Sequence, residues 1–369
     1  MSLDVWLAAN TITYVRGAGQ LWIYLNWALS LVDAGCRVTW VELAETPADE
    51  SNWPALRERL EPFGLGDALR VIVPDDRAPG TSVPLATLDA LAEADLLLNF
   101  CYWLPQPWVG AARRSALVDI DPGLLQIWMA EGDMVVAPHD FWFTIGETVG
   151  TPAAHFPDCD LAWTYTPPPV HLPSWPVAGP PRGDAFTTIT HWWEDGWVCF
   201  DGEEYQNDKR TSFLEFLDVP RLAGIPLELA TSLTDGDEDE RILLEGRGWR
   251  LHDAGSLEQP ASYRDYVRGS RGEFSCAKPS CMHLQNAWIS DRTICYLASG
   301  RPAVVQHTGP SRVLVDGTGL LRFRTPAEAA DALRQVEADY DGHSRAARTF
   351  AESTFDGSRV VSALLDRCC

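Results

Sequence analysis

Three stretches of this chain gather residue types that do chemistry. The first is Arg271-Gly-Glu273-Phe-Ser-Cys-Ala-Lys278, followed by Ser290-Asp291-Arg292 and then Thr308-Gly309. Its pattern reads as strand, loop, helix start, helix, glycine stop and strand, with Ser290 as the helix N-cap. Free amides at such a start, with Arg292 alongside and Glu273 and Lys278 flanking, make an anion site suited to phosphate. The plain alternative is an ordinary β-α-β unit with a capped helix. The second stretch is Asp119-Ile-Asp121-Pro122-Gly123. Carboxylates at i and i+2 suit a metal site, a strand-end turn or an acid/base role, because the carboxyl ends of strands face the ligand crevice in open α/β sheets. Hard-metal binding needs more oxygen ligands than the sequence offers, so no metal is expected. The third is His139-Asp140 at the entry to a strand, where a carboxylate can orient an imidazole and raise its basicity. Neighbouring strand residues point to opposite faces, so only one of the two can enter a cleft.

Gly17-x-Gly19, with Glu42 closing the second strand, invites a dinucleotide reading. That fingerprint needs its first glycine directly after the strand, so that the helix amides meet pyrophosphate. Here residues 10–16 intervene and Trp22 stands at the third glycine position. A loop whose amides line a cleft, or turn glycines without a ligand, remain open for Gly17 and Gly19.

The elements that must position these groups alternate. Residues 5–9 read as a strand, 20–34 as a helix stopped by Gly35, and 36–43 as a strand, which is one β-α-β unit and implies a parallel sheet. Strands are expected at 69–73, 95–100, 115–120 and 140–145, with a helix at 85–92. Residues 164–184 are rich in Pro and Gly and read as an extended strap. The alternation then restarts, with strands at 186–191, 225–231, 249–252, 273–278 and 302–306. Helices are expected at 211–217, 238–245, 261–267 and 291–298, and from about 327 to the end.

Composition bounds the function. The 369 residues suit two domains. Lys and Arg number 29 against 52 Asp and Glu, a net charge of −23 that repels polyphosphate, so nucleic acid and anionic membranes are poor partners. Nine scattered cysteines without a CxxC fit a reducing compartment, and no apolar run is long enough to span a membrane. The chain reads as cytoplasmic, with no leader segment. Several of its 16 tryptophans adjoin other aromatics or prolines, which suits core packing or ring stacking in a cleft.

The stretch from Glu273 to Gly309, with its helix-Gly300-Arg-Pro302-strand element, resembles the donor-binding half of GT-B glycosyltransferases. The chain as a whole resembles a bacterial glycosyltransferase family 1-like group. The shared elements are Glu273-Phe-Ser-x-Ala-Lys278, Ser290-Asp-Arg292, Tyr296-Leu-Ala-Ser-Gly-Arg-Pro302, the Asp119-x-Asp121-Pro-Gly strand end with Gln126, and His139-Asp140 with Phe143 and Gly146. The chain departs from that group at His307, where Asp is usual, and at Gln285-Asn286-Ala287, where Arg-Ser-Gly is usual. The resemblance implies an α/β GT-B fold of two Rossmann-like domains facing across a cleft. Their expected bounds are 1–178 for the acceptor domain and 184–345 for the nucleotide-sugar domain, with a last helix over 346–369 crossing back to the first. It implies glycosyl transfer from a nucleotide diphosphate-sugar to a small-molecule acceptor, with no metal or other cofactor. Without a metal, helix amides and Arg or Lys must stabilise the leaving diphosphate. The implied donor residues are Ser290, Asp291 and Arg292, with Lys209, Glu273, Lys278, Thr308 and Gly309. Residues 10–19 hold no His, Asp or Glu, so the acceptor base is sought at Asp121, His139 or Asp140. A degenerate scaffold or sugar-nucleotide binding protein, and a sugar-nucleotide epimerase, are the other functions this fold carries.

Overall fold

The structure, a computed structural model, describes residues 2–74, 82–193 and 196–369. It divides into two compact units. Met1–Gly150, Pro157–His171 and Asp356–Cys369 form the first, and Thr151–Phe156 with Leu172–Phe355 the second.

The first unit is built on seven strands: β1 (Asp4–Ala9), β2 (Arg37–Leu43), β3 (Leu69–Ile72), β4 (Leu96–Asn99), β5 (Ser115–Asp119), β6 (Phe141–Thr144) and β7 (Trp163–Tyr165). All pairings are parallel, in the order β3-β2-β1-β4-β5-β6-β7. The strand order reverses between β1 and β4, which makes their carboxyl ends the switch point where ligands sit in such sheets. The central strands are buried on both faces, hence the unbroken apolar runs Val5–Ala9 and Leu96–Leu98. The helix Ala18–Asp33 lays Leu21, Trp22, Leu25 and Trp27 into the core. The C-terminal helix Gly357–Cys368 belongs to this unit. The Gly357 amide donates to the Val170 carbonyl at 2.9 Å, and Val360, Val361 and Leu364 are buried. Each such side chain contributes about 1.5–3 kcal/mol.

The second unit repeats the plan with β8 (Phe186–Ile189), β11 (Leu227–Thr231), β12 (Trp249–Asp253), β13 (Gly272–Ser275), β14 (Ala303–Gln306) and β15 (Leu320–Phe323). These six are parallel in the order β12-β11-β8-β13-β14-β15, so the switch point lies between β8 and β13. A separate antiparallel hairpin joins β9 (Trp197–Phe200) to β10 (Glu203–Gln206). The core is aromatic: Phe186, Phe213, Phe216, Trp249, Phe274 and Phe323 are buried, and the Phe274 and Phe323 rings stack at 5.2 Å.

Several elements differ from expectation. Residues 163–165 form β7 of the first sheet rather than leading into the strap. The helix expected over 85–92 starts at Leu88, because the Thr87 hydroxyl caps it and Leu85 bridges to Val71. The β9–β10 hairpin, β15 and the helix Pro279–Leu284 were not anticipated. The residues of β10, Glu-Glu-Tyr-Gln, carry no apolar alternation, and β15 is four residues long, too short for periodicity to show. Trp22, Trp27, Trp40, Trp175 and Trp192 are fully buried, which makes them packing residues rather than stacking platforms. All nine cysteines are free thiols. Among the described residues no helix is long and apolar enough to cross a membrane.

Candidate functional site

At the carboxyl end of β5 the chain makes a tight turn. Gly123 adopts φ +87°, a left-handed conformation that glycine supplies without a Cβ penalty. Gln126 braces the turn from one helical turn on. Its Oε1 accepts from the Gly123 amide at 2.5 Å and its Nε2 donates to Asp119 Oδ2 at 2.9 Å. Asp119 is fully buried and takes further donors from the Thr144 hydroxyl at 2.8 Å and the Asp121 amide at 2.9 Å. Burial pushes its carboxyl up to about 7, against the pull of Gln126 and Thr144. With both oxygens occupied by hydrogen-bond donors, Asp119 is spent on holding the turn and does not fit a metal ligand. Asp121 stands two residues on and is half-buried. The buried Tyr102, from the loop after β4, reaches both carboxylates. Its hydroxyl donates to Asp121 Oδ2 at 3.1 Å, lies 3.4 Å from Asp119 Oδ1, and accepts from the Ile120 amide at 2.9 Å. Tyr102 is not legible as a site residue from the sequence, because nothing there says which aromatic hydroxyl turns toward a carboxylate.

The other two proposed bases are held by other partners. The Asp140 carboxylate accepts from the amide and hydroxyl of Ser115, the first residue of β5, at 2.8 and 3.1 Å. Asp119 ends that strand, about 13 Å away at 3.3 Å per residue. Asp140 therefore anchors the amino edge of a parallel sheet, the edge opposite the ligand crevice. His139, half-buried, bonds through Nδ1 to the Ala137 carbonyl at 2.7 Å and through Nε2 to the Asn99 amide group at 3.1 Å. Burial lowers it to about 4, so it is a neutral imidazole with both nitrogens engaged. The structure thus separates Asp140 from Asp121, while His139 is held at the end of β4.

At the first switch point, Glu42 lies fully buried beneath the loop that follows β1. Its carboxylate accepts from the Thr11 amide at 2.8 Å, the Ile12 amide at 3.1 Å, the Trp40 indole at 2.7 Å and the Thr11 hydroxyl. A glutamate so used cannot hold a ribose, which removes the dinucleotide reading. Gly17 is the N-cap of the helix Ala18–Asp33, where a Cβ would strike the Tyr14 ring, and Gly19 lies in the first turn. That close approach accounts for the glycine at position 17.

In the second unit the helix Asp291–Ala298 starts at the carboxyl edge of the sheet. The Ser290 hydroxyl caps it, accepting from the Arg292 amide at 3.3 Å. A small pocket lies at this start, lined by Cys276, Ala277, Trp288, Ser290, Thr293, Gln306 and Thr308. The Thr308 hydroxyl donates to the Trp288 carbonyl at 2.6 Å, and Gln306 Oε1 accepts from the Ala277 amide at 3.0 Å. Gly309 follows at φ +140°, where a Cβ would run into the Gln285 carbonyl. Lys209 reaches the same edge. Buried, it donates from Nζ to the Cys276 carbonyl at 2.5 Å and sits 5.8 Å from the Trp288 ring centre. Burial, helped by Arg292, lowers its ammonium to about 8. Lys278 and Asp291 are half-buried at the starts of their helices.

Arg292 is placed differently from expectation. Its guanidinium points inward, donating to Glu273 Oε1 at 2.7 Å, the Ile189 carbonyl at 2.8 Å and the Ser275 hydroxyl at 2.7 Å. Glu273 is wholly buried, and its Oε2 has no hydrogen-bond partner. This pair ties β8, β13 and the helix start together from within, so Glu273 and Arg292 support the pocket floor rather than line its mouth. Among the described residues no group of three or more His, Cys, Asp or Glu could hold a metal ion.

No protein-family model and no curated protein sequence matches the chain. Solved structures do. HepE from Anabaena, in complex with UDP and glucose, aligns over 99% of this chain and 99% of its own at a TM-score of 0.56 and 12% identity. AviGT4, a glycosyltransferase involved in avilamycin A biosynthesis, aligns over 99% of this chain and 96% of its own at 0.56 and 12%. An alpha-glucosyltransferase in complex with UDP and a 13-mer DNA aligns over 99% of each chain at 0.58 and 10%. The two parallel sheets, each ordered about its own switch point, and these full-length alignments give the chain the GT-B fold of two Rossmann-like domains.

Proposed function

We propose that the chain is a glycosyltransferase that moves a sugar from a nucleotide diphosphate-sugar to a small-molecule acceptor without an obligate metal. The observation that carries this reading is the buried Lys209 ammonium beside the capped start of the helix Asp291–Ala298, at the carboxyl edge of the second sheet. Helix amides and a dehydrated ammonium are what a leaving diphosphate requires. UDP and UDP-glucose are bound by structural neighbours of this fold, which supports a nucleotide-sugar as donor. In the reaction an acceptor hydroxyl oxygen bonds to the anomeric carbon. The bond from that carbon to the diphosphate oxygen breaks, and the oxygen leaves with the electron pair. The acceptor proton passes to a base, and Asp121, half-buried at the carboxyl end of β5, is the residue we propose for that role. The net charge of −23 favours a small acceptor over a polyphosphate one.

The test is titration calorimetry of the full chain with UDP, GDP, TDP and their nucleosides, followed by assay of nucleotide release from UDP-glucose. The expected result is that one diphosphate binds at least ten-fold more tightly than its nucleoside, and that Lys209→Ala removes most of that difference. A chain that binds no nucleoside diphosphate is not a transferase of this kind.

A further inference from the structure

The proton of Tyr102 has two carboxylates to choose from. Its phenolic oxygen accepts from the Ile120 amide at 2.9 Å and the Asp121 amide at 3.1 Å, which leaves one O–H to donate. That proton faces Asp121 Oδ2 at 3.1 Å and Asp119 Oδ1 at 3.4 Å. The Ile120 amide, with the Asp121 amide that is shared with Asp119 Oδ1, pulls electron density from the O–H and makes it a stronger donor. Tyr102 is almost wholly buried, so nothing from solvent competes for this proton. Asp119 is fixed by Gln126 and Thr144 and cannot turn away. Asp121 is the one member of the trio with exposed surface.

We infer that Tyr102 is the positioning residue for Asp121, fixing its carboxylate and coupling it to the buried Asp119 through one shared phenolic proton. This rests on the glycosyl-transfer reading and deepens it, giving the acceptor base a built support. Asp119, Asp121 and the Tyr102 phenol face one another, and Tyr24 also acts on Tyr102. With Asp119 ionised, the phenol divides its proton between two anions. With Asp119 protonated, the phenol donates to Asp121 alone, and Asp121 is held in its ionised form. Removing the phenol oxygen leaves the aromatic packing intact but takes the phenolic donor away from Asp121, so its affinity for a proton rises.

The experiment uses the full chain with UDP-glucose as probe, reading UDP release for wild type and Tyr102→Phe across the range where carboxylates and imidazoles titrate. Tyr102→Phe is expected to lower kcat by about ten-fold with KM for UDP-glucose unchanged, and to move the acid limb of kcat/KM to higher pH. Wild-type kcat and an unmoved limb in Tyr102→Phe would overturn the inference. Carbon-13 titration of the Asp121 carboxyl, assigned with Asp121→Asn, needs no turnover and separates this inference from the transferase reading. In wild type it should show two coupled steps, the second from Asp119, and in Tyr102→Phe the Asp121 step should move to higher pH. A wild-type Asp121 that titrates in one step, blind to Asp119, sinks the coupling even where UDP-glucose is turned over or where Tyr102→Phe does not fold.

Discussion

The guanidinium of Arg292 lies 2.7 Å from the carboxylate of Glu273, and the Glu273 side chain is wholly closed to solvent. The pair spans the switch point of the second sheet, since Arg292 also holds the Ile189 carbonyl at the end of β8. Breaking one side of a buried pair leaves the other charge unpaired and costs about 3–5 kcal/mol. Arg292→Ala is therefore expected to lower the denaturation midpoint strongly, and Glu273→Ala likewise. The double variant should recover part of the loss, because neither charge is then stranded. Urea unfolding of the four proteins measures this. Additive losses would mean that the two side chains do not depend on each other.

Most of the scaffold was legible in the sequence because long apolar strands and glycine-stopped helices carry strong periodicity. Val5–Ala9 and the helix Asp291–Ala298 are examples. The groups that set the chemistry were less so. Ser290 could be placed as a cap from spacing alone, since capping is local. The inward turn of Arg292 depends on Glu273, nineteen residues away on β13. The separation of Asp140 from Asp121 follows from strand direction, because a parallel sheet puts a residue that precedes one strand at the edge opposite to a residue that follows another. Such facts lie in tertiary pairing, which no window of sequence contains.

His307 stands between two hydrogen-bond donors. Its Nδ1 faces the Gly309 amide at 3.2 Å, and its Nε2 faces the Arg324 guanidinium at 2.8 Å. Both partners donate, yet a neutral imidazole carries one N–H and can accept at only one nitrogen. An aspartate would accept from both, so His307→Asp is expected to raise stability by about 1 kcal/mol. Burial first, then Arg322 and Arg324, lowers the His307 proton affinity. The folded chain then binds fewer protons there than the unfolded chain, and stability is lost as pH falls through the ordinary histidine range. His307→Asp should flatten that slope. Thermal melts across that range settle both points, and a lower melting temperature for His307→Asp would refute that gain.

Asp119 slopes the other way. Burial raises its carboxyl to about 7, so below that pH the folded chain holds a proton that an unfolded aspartate has already released above about 4. Folding then binds protons, and this residue's contribution to stability falls as pH rises from about 4 to about 7. Asp119→Asn carries no such proton. Its melting temperature should change less over that interval than that of wild type, though its amide meets the Gln126 Nε2 donor and lowers stability overall. Parallel slopes for the two proteins would place the Asp119 carboxyl in the ordinary range.

Lys209 supplies the last prediction, one that joins stability to binding. Burial lowers its ammonium to about 8, whereas in the unfolded chain it titrates near 10. Between those values the folded chain binds fewer protons than the unfolded one, so this residue makes stability rise with pH across that window. Diphosphate binding runs in the opposite sense. A bound diphosphate needs the charged ammonium and raises its proton affinity, so binding should take up protons above about pH 8 and weaken as pH climbs further. Lys209→Met keeps the packing against Trp288 and removes the charge. It is expected to bind a nucleoside diphosphate ten- to one hundred-fold more weakly, with roughly 1.5–3 kcal/mol lost per charge-assisted contact. The weak binding that remains should not vary with pH around 8. Calorimetry in two buffers of different ionisation enthalpy reads the proton uptake directly. If wild type takes up no proton on binding, or if Lys209→Met binds as wild type does, Lys209 does not touch the diphosphate.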